Sequence, residues 1–168
     1  FNGGGILRYS RAPIANQHLD SLAREAIGKL LEELDYVGVL ALELFVHDGA
    51  LLANEFAPRV HNSGHWTIEG AETSQFANHL LAVSGGTPGS GAALGHAGML
   101  NLIGEIPDSA RTLAIPGAAL HDYGKSPREG RKLGHITVVA DSAALRDERL
   151  VAIGKTVTGS TPDFGTTE

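Results

Sequence analysis

The chain contains no cysteine in its 168 residues. That excludes disulfides, thiolate metal sites and thiol redox chemistry, and it fits a reducing compartment. Positive charge is not in excess either. Lys and Arg number 13 against 19 Asp and Glu, a net charge of −6, so no broad surface for nucleic acid is expected. No apolar run approaches the roughly 18 residues that span a bilayer, so no membrane-spanning segment is expected. The glycine-rich stretches at 3–5 and 85–95 lack the G-x-x-x-x-G-K-[ST] order of a P-loop. The opening Phe1-Asn2-Gly3-Gly4-Gly5 has neither an initiator Met nor signal-peptide character, and the expectation is a piece cut from a longer protein. What remains is ordinary for a soluble globular chain, with 42% hydrophobic and 19% charged residues and length for one core or two small ones sharing an interface.

Apolar spacing gives a coarse map of elements. Residues 6–12 alternate as a strand closed by Pro13. Asn16 caps a helix whose Leu19, Leu22, Ala23, Ala26, Ile27, Leu30, Leu31 and Leu34 recur with helical period. A strand at 37–46, a turn at His47-Asp48-Gly49-Ala50 and a return strand at 51–55 make a hairpin. Thr73 or Ser74 caps a second helix with Phe76, Ala77, Leu80 and Leu81 facing inward, ended by Ser84-Gly85-Gly86. The Gly, Ser, Pro and Ala composition from 84 to 95 marks a domain boundary. Beyond it, 99–103 and 136–140 read as strands, a short helix follows Asp108, and Asp141 caps a last helix to about Ile153. The Gly- and Thr-rich tail from Thr156 is expected to fray. There are no internal repeats.

The chemistry concentrates between Asn54 and Trp66. This run carries Glu55, Arg59, His61, Asn62, Ser63 and His65 among the rigid or apolar Phe56, Pro58, Val60 and Trp66. So many hydrogen-bonding side chains suit neither a buried strand nor a solvated linker, and the run reads as an active-site loop. Glu43 lies twelve residues before Glu55, inside an apolar strand where a lone charge is costly. Turn length decides whether the two meet. A two-residue loop at Asp48-Gly49 pairs Glu43 with Asn54 and turns Glu55 away. A three-residue loop pairs His47 with Leu51 and Glu43 with Glu55, about 4.5–5.5 Å apart on one face. Two carboxylates so placed call for a hard divalent cation such as Mg²⁺. The alternative is that Glu43 pairs with a basic residue and Glu55 is merely exposed.

Other groups admit plainer readings. His65 and Trp66 either line a substrate pocket or brace the loop against the following helix. His61 and His65 are four apart, but on a Gly-containing loop rather than a helix, which disfavours zinc. Lys125, Arg128, Arg131 and Lys132 form a dense basic cluster that is either a solvated face or, beside Tyr123 and flanking glycines, a loop that grips a phosphate.

Glu43, the hairpin and Asn54-Glu55 resemble the magnesium-binding pair of the ATP-grasp fold. The run through His65-Trp66, then Thr67-Ile68-Glu69-Gly70 and Thr73-Ser74-Gln75-Phe76, is similar to one family within it, the 5-(carboxyamino)imidazole ribonucleotide synthases. Gly5-Ile6-Leu7-Arg8, Tyr123-Gly124-Lys125 and Gly130-Arg131-Lys132-Leu133-Gly134-His135 match the same pattern, so the resemblance covers roughly residues 4–154. It implies an α+β fold, with the carboxy-terminal lobe of an ATP-grasp domain over residues 1–86 and a small β-rich carboxy-terminal domain over 87–168. It implies carboxylation of aminoimidazole ribonucleotide by ATP and bicarbonate in purine biosynthesis, through carboxyphosphate, by a cytoplasmic and homodimeric full-length enzyme. The implied roles are metal binding by Glu43 and Glu55, ATP binding by Asn54 and Glu55, and catalysis by Arg59 and His61. Asn62, Ser63, Lys125, Arg131 and Lys132 would bind substrate, with Lys125 on the ribose 5-phosphate. The amino-terminal domain and the lobe that clamps adenine do not precede Phe1, so the chain by itself is expected to be inactive. Two other readings remain: another ATP-grasp ligase sharing the paired acids, such as a formate-using purine enzyme or a biotin carboxylase, and a non-catalytic nucleotide-binding relic that kept the fold.

Overall fold

The computed structural model describes residues 2–3 and 6–158. In chain order these form β1 (Asn2–Gly3), β2 (Ile6–Leu7), β3 (Tyr9–Ala12), α1 (Gln17–Glu33), β4 (Ala41–His47), β5 (Ala50–Ala57), a 3₁₀ turn (Asn62–Gly64), α2 (Thr67–Gly70), α3 (Gln75–Val83), β6 (His96–Ile103), α4 (Ser109–Leu113), β7 (Ala118–Asp122), β8 (Lys132–Ala140) and α5 (Ala143–Thr158). The mixture of helix and antiparallel sheet agrees with the α+β expectation. No helix among the described residues is long and apolar enough to cross a membrane.

The chain divides into two compact units that are discontinuous in sequence. Among the described residues, one comprises those up to 13, 69–71 and those from 93 onward; the other comprises 14–68 and 72–92.

The first unit is an antiparallel sheet ordered β3-β6-β8-β7, with α5 packed across β6 and β8. The two-residue side-chain period puts Leu100 and Leu102 of β6, and Ile136 and Val138 of β8, on the face toward Leu150 and Ile153 of α5, where they form one buried cluster. A Cβ at Gly98 would lie 2.5 Å from Leu150 Cδ1, so a glycine there is what lets the helix sit this close. The register aligns Asn101, His135 and His121 as one row across β6, β8 and β7. Polar side chains thus share the sheet face opposite the α5 cluster. Ser142, rather than Asp141, caps α5 by accepting from Leu145 N–H at 3.2 Å. The helix also runs on through Thr158, because Val157 still packs against the core. The expected fraying thus does not hold for 156–158, and its remainder, like Phe1, Gly4 and Gly5, lies outside the described residues.

In the second unit the Asn16 side chain caps α1 by accepting from Leu19 N–H at 3.1 Å, and α1 packs along β5. Its apolar stripe is only half-buried, and no residue of α1 is fully buried. Ser74 caps α3 and Ser84 ends it, as the sequence suggests. The inward face expected for α3 is not enclosed, however, since Leu80 is 66% exposed and Phe76 and Leu81 each 37%.

Candidate active site

The β4–β5 hairpin brings Glu43 and Glu55 together by an unexpected route. The turn has two residues, His47 pairing with Ala50. Asp48 and Gly49 both have positive φ, 50° and 75°, the primed-turn geometry that Asp-Gly favours. By turn length alone Glu43 would face Asn54. A bulge at Glu43/Leu44 corrects this: Leu44 pairs with Ala53 and Glu43 with Glu55, so Asn54 is the extra residue. Of the two loops the sequence allowed, the two-residue one forms, and the Glu43–Glu55 pairing that the three-residue loop would have given is made by the bulge instead. Freed from the ladder, Asn54 Nδ2 donates to Glu43 Oε2 at 3.2 Å.

His61 completes the group. Ligand atoms of Glu43, Glu55 and His61 all lie within 4.8 Å of one another, and His61 Nδ1 is 3.5 Å from Glu43 Oε1. Glu55 is exposed while Glu43 and His61 are half-buried. His61 also caps the 3₁₀ turn, its Nδ1 accepting from Ser63 N–H at 3.3 Å with Ser63 Oγ at 2.9 Å. Arg59 is held differently, with Nη1 donating to the Val60 carbonyl at 3.0 Å. The two carboxylates offer the oxygen ligands that suit a hard divalent cation, with the imidazole beside them.

The loop is gripped from below by residues given no role in the sequence reading. Gln75, the first residue of α3 and 8% exposed, accepts from His61 N–H at 2.9 Å and donates to the His61 carbonyl at 2.8 Å. Its Nε2 also lies 2.8 Å from His65 Nδ1. Thr67 Oγ1 donates to the Gly64 carbonyl at 2.6 Å and accepts from Gln75 N–H at 2.9 Å. His65 lies against the ring of Phe76 at 5.3 Å, so it braces the loop on α3. Tyr36 O–H donates to the Pro58 carbonyl at 2.7 Å, and Val39 N–H to His79 Nδ1 at 3.1 Å. The sequence signals were the Thr67-Ile68-Glu69-Gly70 and Thr73-Ser74-Gln75-Phe76 motifs, which do not say what they hold.

Lys125, Arg131 and Lys132 belong to the other unit. Lys125 Nζ lies 5.0 Å from the centre of the Tyr123 ring, a cation–π contact. Tyr123 O–H is 2.8 Å from His135 Nδ1. His135 stacks on His121 with centroids 4.5 Å apart and planes 13° apart, and His121 Nε2 meets Glu69 Oε1 at 2.6 Å. The sheet row of His121 and His135 therefore supports the lysine loop through Tyr123. Arg131 Nη1 donates to the Ser126 carbonyl at 3.4 Å, bracing that same loop.

Residues 2–76 match the ATP-grasp domain family and residues 97–149 the phosphoribosylaminoimidazole carboxylase C-terminal domain family. The N5-carboxyaminoimidazole ribonucleotide synthase of Pseudomonas aeruginosa is 54% identical over 143 residues, 84% of this chain and 39% of that protein. Among solved structures, the N5-carboxyaminoimidazole ribonucleotide synthetase of Thermus thermophilus superposes with a TM-score of 0.91 at 53% identity, covering 94% of this chain and 44% of that one. The Aspergillus clavatus synthase, solved in complex with ADP and 5-aminoimidazole ribonucleotide, gives a TM-score of 0.85 at 32% identity, with 94% and 45% covered. The chain thus spans less than half the length of the relatives it matches.

Proposed function

Because the chain belongs to the N5-carboxyaminoimidazole ribonucleotide synthase family, we propose that it contributes one wall of an active site that uses ATP and bicarbonate to carboxylate the amine of aminoimidazole ribonucleotide. In this reading residues 1–86 carry the ATP-grasp portion and 87–168 the carboxy-terminal domain. That division is one of family domains rather than of packing, since Tyr9–Ala12 pair with β6 of the other part.

The observation that carries the reading is the convergence of Glu43, Glu55 and His61. Two opposed carboxylates repel, and among the described residues the ion-pair partner of Glu43 is His61 rather than a Lys or Arg. Glu43 and Glu55 fit a magnesium ion, and the bulge keeps Asn54 beside them to help hold the nucleotide–metal complex. Magnesium, when bound, neutralises phosphate charge during phosphoryl transfer.

The chain's own groups do the rest by position. Arg59 offers a planar fork for a carboxylate or phosphate oxygen once it leaves the Val60 carbonyl. His61 has Nδ1 occupied by Ser63 N–H, which leaves Nε2 to donate to the bicarbonate-derived group or to handle the amine proton. Asn62 and Ser63 follow in the same turn and present polar groups to the substrate. Lys125, Arg131 and Lys132 bind the ribose 5-phosphate, with Lys125 steadied by Tyr123.

The test is ADP release by the full-length enzyme with aminoimidazole ribonucleotide and bicarbonate each varied. Glu55→Gln should abolish the release that depends on both substrates. Wild-type turnover by Glu55→Gln at saturating magnesium would overturn the reading.

A further inference from the structure

Gln75 is given no part in the chemistry proposed above, yet its side-chain amide makes three hydrogen bonds to the His61–His65 loop. Its amide has one acceptor end and an NH₂ with two donors. The acceptor takes His61 N–H at 2.9 Å, while the NH₂ meets the His61 carbonyl and His65 Nδ1, each at 2.8 Å. Only one orientation of the amide satisfies all three. Reversed, the oxygen would face a carbonyl and the NH₂ would face an N–H. The orientation is therefore dictated by the backbone of a single residue, His61.

This has a consequence for His65. An NH₂ group cannot accept, so the imidazole nitrogen facing it must present a lone pair. That fixes the proton of neutral His65 on Nε2. Gln75 is 8% exposed, so water competes poorly for these groups, and breaking the set would strand polar backbone atoms of His61. Gly64 closes the clamp from the other side, because a Cβ there would lie 2.6 Å from Gln75 Oε1. Thr67 ties the Gln75 N–H back to the Gly64 carbonyl. The two side chains together hold both ends of the turn that carries His61.

We propose that Gln75 is a positioning residue: its amide fixes where His61 stands and locks His65 in the Nε2–H tautomer. The relevance to turnover rests on the role given to His61 above; the latch itself does not.

Long-range proton–nitrogen NMR on the chain labelled with ¹⁵N-histidine tests it directly, about two pH units above the usual imidazole pKa of roughly 6.5. Wild type should show His65 protonated on Nε2 alone. Gln75→Met keeps the side-chain length without the donors, and it should give a mixture of both tautomers. Gly64→Ala should do the same with Gln75 intact, which covers the case in which Gln75→Met fails to fold. His65 protonated on Nδ1 in wild type, or an unchanged tautomer in the folded variants, would overturn the proposal. In the full-length enzyme Gln75→Met should lower kcat on the order of 100-fold with KM for ATP little changed, as expected for a misplaced reacting group. A shifted tautomer with normal turnover would uphold the latch and remove His61 from the chemistry, so the two readings fail separately.

Discussion

In the unit built on the four-stranded sheet, Met99, Leu102, Ile136, Leu150 and Ile153 are completely buried; in the hairpin unit, Leu40 and Ala57 are the only buried hydrophobics among the described residues. The hairpin unit instead leaves Phe45, Val46, Leu52, Phe56, Leu80 and Val83 about half exposed or more. The first unit closes a core of its own. The second is ordered by local devices: a primed turn, two helix caps, and the Gln75, Thr67 and Tyr36 hydrogen bonds. Exposed apolar patches of this extent commonly mark surfaces that other protein covers. The carboxylate cluster sits in that weakly buried unit, so stability and candidate chemistry are carried by different parts of the chain.

The largest effect that would sharpen this contrast is catalytic. In the full-length enzyme His61→Ala, and Arg59→Ala with it, should lower kcat by about 10²–10⁴-fold, while Lys125→Ala should chiefly raise KM for aminoimidazole ribonucleotide. Steady-state kinetics at saturating ATP and bicarbonate decide the matter. An equal loss of kcat in Lys125→Ala at saturating substrate would show that both units carry the chemistry.

Core truncation comes next. Ile136→Ala in the sheet unit should cost about 2–5 kcal/mol in urea unfolding. Leu52→Ala in the hairpin unit should stay within roughly 0.5 kcal/mol. Similar losses at both positions would mean that the hairpin unit has a core after all.

The site itself was legible only in part. Residue types and order pointed to Glu43, Glu55 and the loop through His65, because such a density of polar groups has few other uses. How Glu43 reaches Glu55 was not legible. A bulge depends on which ladder bonds the whole hairpin can satisfy, and no residue code announces it. The primed turn can be probed: Gly49 has φ 75°, so Gly49→Ala should cost about 1–3 kcal/mol, and hydrogen exchange should rise along β4–β5. If exchange instead rose in the sheet unit, the two would not be separable parts.

The smallest effect concerns α1, where Arg24 pairs with Asp20 and Lys29 with Glu25 on a solvated face. The hydrogen bond to Lys29, and its charge, hold the Glu25 carboxyl below its ordinary range. The pair's contribution is therefore present above the unfolded carboxyl pKa and lost as pH falls through the lower folded value. Lys29→Ala should leave the urea midpoint at neutral pH unchanged within error, as exposed pairs do. A clear drop would mean that electrostatics, rather than local hydrogen bonding, orders the hairpin unit.

The sequence by itself determined the local elements: the Asn16 and Ser74 caps, the α1 stripe, the Asp-Gly turn and the apolar strands at 99–103 and 136–140. Each of these depends on interactions within a few residues. Tertiary structure alone decided that Tyr9–Ala12 pairs with β6 across some ninety residues of chain. It also decided that Ala118–Asp122 becomes an edge strand and that α3 leaves its apolar face open. Those outcomes turn on which distant surfaces meet, and side-chain periodicity records only that a face is apolar, not what comes to cover it.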